Sequence, residues 1–163
     1  MAQLDTPAQA AAWLRQRVRG TLCADSRTVA PGDGLLAWYG AQSDARAHVQ
    51  DALAAGAGAC LVEARGLEAF SFEPDQMNSI ASYDGLKRAA GPIASAYFER
   101  PSAKLDMLAV TGTNGKTSTA WWLAQALSDT ALRRPGPCAV AGTLGIGRVP
   151  LVQSSGQIGR AHV

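Results

Sequence analysis

Ala109-Val110-Thr111-Gly112-Thr113-Asn114-Gly115-Lys116-Thr117-Ser118 is the stretch on which the reading of this chain turns. An apolar run, residues 105–110, precedes it, and a helical run, residues 119–127, follows. Strand, glycine-rich turn and helix opening on Lys-Thr is the context of a phosphate-binding loop. Backbone N–H groups of such a turn converge on phosphate oxygens, and the helix N-terminus adds about half a positive charge. Gly112, Thr113, Asn114, Gly115, Lys116, Thr117 and Ser118 are therefore the candidate nucleotide-binding residues. Lys116 is the candidate catalytic cation, reaching the β- and γ-phosphates, and the Thr117 hydroxyl is the candidate Mg²⁺ ligand. The spacing is Gly-x-x-Gly-Lys-Thr, shorter than the standard loop, whose first glycine would fall at Val110.

Working outward, the 163 residues fit one domain, or one small domain with part of another. Apolar content of 47% with 17% charged residues is that of a globular chain. The net charge of +2 gives no argument for nucleic acid, and Arg15, Arg17 and Arg19, the one basic cluster, read as a solvated helix face. Three cysteines, Cys23, Cys60 and Cys138, stand at no metal-binding spacing and read as free thiols. With neither a signal-peptide pattern nor a membrane-length apolar run, the expectation is a cytoplasmic protein with no membrane or nucleic-acid partner, and a monomer.

Upstream of the loop the pattern is α/β. Thr6-Pro7 opens a helix with Ala10, Leu14 and Val18 on one stripe, ending at Gly20. Pro31-Gly32-Asp33-Gly34 is a turn, and residues 35–39 have the composition of a buried strand. Ser43 or Asp44 caps a helix carrying Ala45, Val49 and Leu53, and residues 59–63 form the next strand. This β-α-β unit implies parallel strands with a right-handed crossover. A further strand is expected within 77–81. A helix over 83–99 should be kinked or divided by Gly91-Pro92. Residues 99–102 are the expected domain boundary. Beyond the loop, residues 138–141 are expected as a second strand of the nucleotide domain. The tail from Gln153 is polar and patternless, either a loop or residues added at a truncation. Residues 103–163 hold about two strands and one helix, too few for a doubly wound domain, so the chain reads as the N-terminal part of a larger enzyme.

The ordered set Asp25-Ser26-Arg27, Pro31-Gly32-Asp33, a strand ending at Gly40, Thr111–Thr117, and Gly142-Thr143-Leu144-Gly145 resembles the Mur ligases over about residues 20–147. The Phe98-Glu99-Arg100-Pro101-Ser102 junction looks like that family too. Within it, the resemblance is to the member that adds a diamino acid. It implies an α/β fold with a small N-terminal domain, residues 1–102, binding the uridine diphosphate of the substrate. The start of a doubly wound ATPase domain with a phosphate loop, residues 103–163, would follow. By motif position, Ala24 and Ser26 would meet the uracil and ribose, and Ala41, Gln42 and Ser43 the diphosphate. Ser154 and Ser155 fall where the family has a Thr-Thr pair near the muramoyl group. ATP and Mg²⁺ are the implied cofactors; UDP-MurNAc-dipeptide and a diamino acid, meso-diaminopimelate or lysine, are the implied substrates. The implied reaction is ATP-dependent amide-bond formation in peptidoglycan synthesis through an acyl phosphate. Ala41 replaces a common histidine, and Asp44-Ala45 a common Asp-Gly. The alternatives are a sister ligase of the family and a non-catalytic module that binds a UDP-sugar nucleotide.

Overall fold

The computed structural model describes residues 1–40, 43–128 and 137–153. They divide into two compact units, Met1–Asp106 and Met107–Val163. In the first unit, β1 (Ala2–Leu4), β2 (Leu22–Cys23), β3 (Gly34–Ala37), β4 (Ala59–Glu63) and β5 (Ile80–Tyr83) form one sheet in the order β1-β5-β4-β3-β2, with every neighbouring pair parallel. The helices are α1 (Pro7–Arg15), α2 (Val49–Ala54) and α3 (Leu86–Tyr97).

The register explains the two-sided burial. Leu35, Cys60 and Ile80 stand side by side across three strands, and Leu36, Leu61 and Ala81 form the next row. Side chains alternate between faces along a strand, so the first row packs with Val49 and Ala52 of α2. The second row packs with Ala10, Trp13 and Leu14 of α1 and Leu86 and Ile93 of α3. Both faces are covered, as a parallel sheet requires.

The α1 start is as expected: the Thr6 hydroxyl accepts from Gln9 N, and the Gln9 side chain accepts from Thr6 N, a capping box. The helix stops at Arg15 rather than Gly20, and Arg17 N closes its end with a tighter bond to Leu14 O, three residues back. Of the basic cluster, Arg15 and Arg19 are exposed and Arg17 is half-buried, and only Arg15 lies on the helix. The Arg15 guanidinium donates to the last α3 carbonyls, Ala96 O and Tyr97 O, where a cation complements the helix dipole. Arg17 donates to Asn78 O and Trp13 O, and lies over the Trp13 ring at 4.5 Å. Gly91-Pro92 does not divide α3. Pro92 and Arg88 are both exposed, so the missing hydrogen bond falls on the solvent side of the helix.

The second unit differs from the sequence expectation. Residues 105–110 form no strand. A parallel strand exists only where a neighbour pairs with it, and among the described residues none does. The expected strand near 138–141 is present as β6 (Ala139–Gly142), but it belongs to an antiparallel sheet with β7 (Gly145–Arg148) and β8 (Leu151–Gln153). The helix α4 (Lys116–Ser128) precedes it and buries only Ala124 among the described residues. No helix among the described residues is long and apolar enough to cross a membrane.

Candidate functional site

Because all five strands of the first unit run the same way, their C-terminal ends lie on one edge. Ligands of open α/β sheets bind outside that edge. Ala24 and Ser26 follow β2, and Ser43 follows β3, its neighbour in the sheet, so the topology brings these expected substrate residues to the same edge. Ala24 and Ser43 are exposed and Ser26 is half-buried. Ala41, Gln42, Ser154 and Ser155 lie outside the described residues.

The loops after β2 and β3 are built by the same device. After β2, Asp25 caps a 3-10 turn over Ser26–Thr28: its carboxylate accepts from Arg27 N at 3.0 Å and pairs with the Arg27 guanidinium at 2.6 Å. After β3, Asp44 caps a turn over Ala45–His48, accepting from Arg46 N at 3.0 Å and pairing with the Arg46 guanidinium at 2.7 Å. Turn capping is thus done by Asp25 and Asp44, not by Ser26 or Ser43. Their environments differ: the Arg27 side chain is 86% exposed, whereas that of Arg46 is 7% exposed. Hydrogen bonding to the Arg46 guanidinium holds the Asp44 carboxyl below the usual carboxylate range. Between the two turns, Gly40 N donates to Ser43 O at 2.9 Å, Ala45 N to Trp38 O at 3.2 Å, and Tyr39 bridges Asp44.

Asp33 supports the first of these loops from below. It is 7% exposed and accepts from Thr21 N at 2.8 Å and Ala30 N at 3.0 Å, with the Cys23 thiol donating at 3.6 Å. Those backbone donors hold its carboxyl below the ordinary value. Sequence reading missed Asp33 and Arg46 as site-building residues. The signal for Arg46 was present, since Asp44-x-Arg46 repeats the spacing of Asp25-x-Arg27.

In the second unit, the loop 112–115 leads directly into α4 at Lys116. Gly112 (φ 144°) and Gly115 (φ 76°) hold backbone conformations that a side chain would strain. Thr119 N donates to Gly115 O at 2.9 Å, the first bond of the helix. The Lys116 ammonium folds over the loop and donates to Gly112 O and Thr113 O, at 3.2 Å for the latter. A positive group therefore sits where the helix N-terminus also favours negative charge. Thr117 and Ser118 line an open cavity of about 240 Å³ with Trp121, Trp122 and Leu144. Leu144 belongs to the tight turn between β6 and β7, so two of the sequence motifs meet here. Among the described residues no group of three or more His, Cys, Asp or Glu side chains is placed to hold a metal ion. Thr117 offers one hydroxyl at the helix start, which fits a Mg²⁺ ion that draws its remaining oxygens from phosphates and water.

A parallel α/β unit followed by a glycine-rich loop opening a helix defines the class: an α/β protein carrying a phosphate-loop motif. Comparison with known proteins narrows it. The chain is 54% identical, over 94% of its length, to the UDP-N-acetylmuramoyl-L-alanyl-D-glutamate--2,6-diaminopimelate ligase of Acidovorax sp. (strain JS42). It is 44% identical, over 77% of its length, to the ligase of the same name from Pseudomonas aeruginosa. A solved structure of a ligase of that name matches 81% of the chain with a TM-score of 0.51 and 29% identity. No family model matches. The chain belongs to the Mur ligase family. It spans 30% of the length of the Acidovorax relative, 24% of the Pseudomonas one and 25% of the solved chain.

Proposed function

We propose that this chain is the nucleotide-handling part of an ATP-dependent ligase that joins a diamino acid, meso-diaminopimelate, to UDP-MurNAc-L-Ala-D-Glu in peptidoglycan synthesis. The observation that carries the proposal is the 54% identity with a ligase of that name over nearly the whole chain. In this reading residues 1–102 form the domain for the uridine diphosphate end of the substrate. Ala24 and Ser26 meet the uridine, and Ala41, Gln42 and Ser43 the diphosphate; Ser154 and Ser155 lie toward the muramoyl group. Residues 103–163 begin the ATPase domain.

The chemistry follows from charge. The γ-phosphoryl group of ATP passes to the substrate carboxylate, giving an acyl phosphate, which the incoming amine attacks with loss of phosphate. Such transfer is helped chiefly by fixed positive groups that offset charge on the moving phosphoryl. The amides of Gly112, Thr113, Asn114 and Gly115 hold the phosphates, with Ser118 beside them. Lys116 leaves the loop carbonyls to meet the phosphate oxygens, and Thr117 offers its hydroxyl to Mg²⁺. Mg²⁺ supplies further charge neutralisation when bound. The setting is cytoplasmic, where the nucleotide substrates are made.

Thermal unfolding with UDP, and separately with Mg-ATP, tests this. Ligand at 100 times Kd stabilises a two-state unit by about 2.7 kcal/mol. Both ligands should raise the unfolding midpoint, and Lys116→Ala should abolish the Mg-ATP shift while leaving the UDP shift. A shift with Mg-ATP alone would remove the uridine diphosphate assignment.

A further inference from the structure

Arg46 is the one buried cation of the first unit's described core. Burying a guanidinium is costly unless its donors are all used. Here Nε and Nη2 engage both carboxylate oxygens of Asp44, at 2.9 and 2.7 Å, and Nη1 donates to Glu63 O at 3.3 Å and to Arg65 O. The Phe70 ring covers the guanidinium at 4.7 Å. Gly66 (φ 73°) comes within 3.7 Å of Nη1 at the position where a Cβ would stand. One side chain thus locks the loop after β3 to the loop after β4, both on the ligand-binding edge. Asp44, held this way, is bridged to Tyr39 and directly follows Ser43.

We infer that Arg46 is a positioning residue for the phosphate-bearing end of the nucleotide. Through Asp44 it holds Ser43, and Gly40 bonded to it, so that these two residues meet the phosphates preorganised. The inference rests on the proposed uridine diphosphate site. A fork that makes two parallel bonds to a carboxylate while reaching two carbonyls is a geometry lysine cannot reproduce. Arg46→Lys therefore keeps the buried charge and loses the lock. Asp44→Asn is the second variant, removing the partner instead.

Chemical-shift titration of the full chain with UDP and with uridine reads the outcome, because it measures weak affinities. Every variant is compared at a temperature where circular dichroism shows it fully folded. Both variants should bind UDP roughly tenfold more weakly, the scale of one charge-assisted hydrogen bond, with uridine affinity unchanged. A purely structural Arg46 would leave both affinities unchanged in the folded protein, which would overturn the inference alone. Equal weakening for UDP and uridine would also overturn it. If the unaltered chain binds no UDP, the proposed site and this inference fall together.

Discussion

Asp33 sits beneath the first loop of the candidate site with its carboxylate held by two backbone N–H groups and a thiol. Gly20 permits this: a Cβ there would stand 2.1 Å from Asp33 Oδ1. The carboxyl is lowered from 3.8, so its contribution is fully present above that value and is lost as pH falls through the lower folded value. Asp44, lowered by Arg46, acts in the same direction. Chemical denaturation across pH 3–7 should show stability nearly level down to about pH 5 and declining below it. Asp33→Asn should cost about 1–3 kcal/mol at pH 7 and shallow the acid limb, since it leaves a buried amide N–H donor unmatched. An acid limb unchanged by the substitution would show that Asp33 does not supply it. The sequence marked Asp33 by its place in a Pro-Gly-Asp-Gly turn and in the motif order of the resemblance, but not its buried support of the loop, because its partners, Thr21, Cys23 and Ala30, are joined to it by folding.

At the level of elements, α3 begins on Gly85 (φ 70°), which has no side chain to cap it. The cap comes instead from Glu63, the last residue of β4: its carboxylate accepts from Gly85 N at 3.0 Å and Leu86 N at 2.8 Å. A carboxylate at a helix N-terminus satisfies free N–H groups and the dipole together. Glu63→Ala should destabilise by about 0.5–2 kcal/mol, measured by urea denaturation, whereas Glu63→Gln should cost less; equal stability of all three would contradict the capping role. This cap spans two elements and is invisible to local pattern reading. The Thr6–Gln9 capping box is contained in four residues and is legible directly. The strands of four and five mostly apolar residues, β3 and β4, were likewise readable. The short β1 and β2 were not, since strands of three and two residues gain their identity from β5 and β3 beside them. Residues 105–110 are the converse: an apolar run of strand composition that has no ladder partner among the described residues.

Across the whole molecule, the parallel sheet and its doubly covered core could be read from the β-α-β pattern, and the phosphate loop from its glycines, lysine and threonine. The antiparallel β6–β8 sheet could not, because short alternating segments do not declare their pairing direction. Of the candidate site, Ser26 and Ser43 were accessible through motif order, while the Asp-x-Arg pairs that shape their loops emerge only from the fold. The proposed function requires a uridine diphosphate site on the C-terminal edge of the five-stranded sheet. The most direct measurement is the two-dimensional amide spectrum of the ¹⁵N-labelled chain titrated with UDP. Shifts should be concentrated in residues 24–28 and 39–46, with residues 112–118 unmoved. Shifts confined to 112–118, or no saturable shifts at all, would contradict the proposed site.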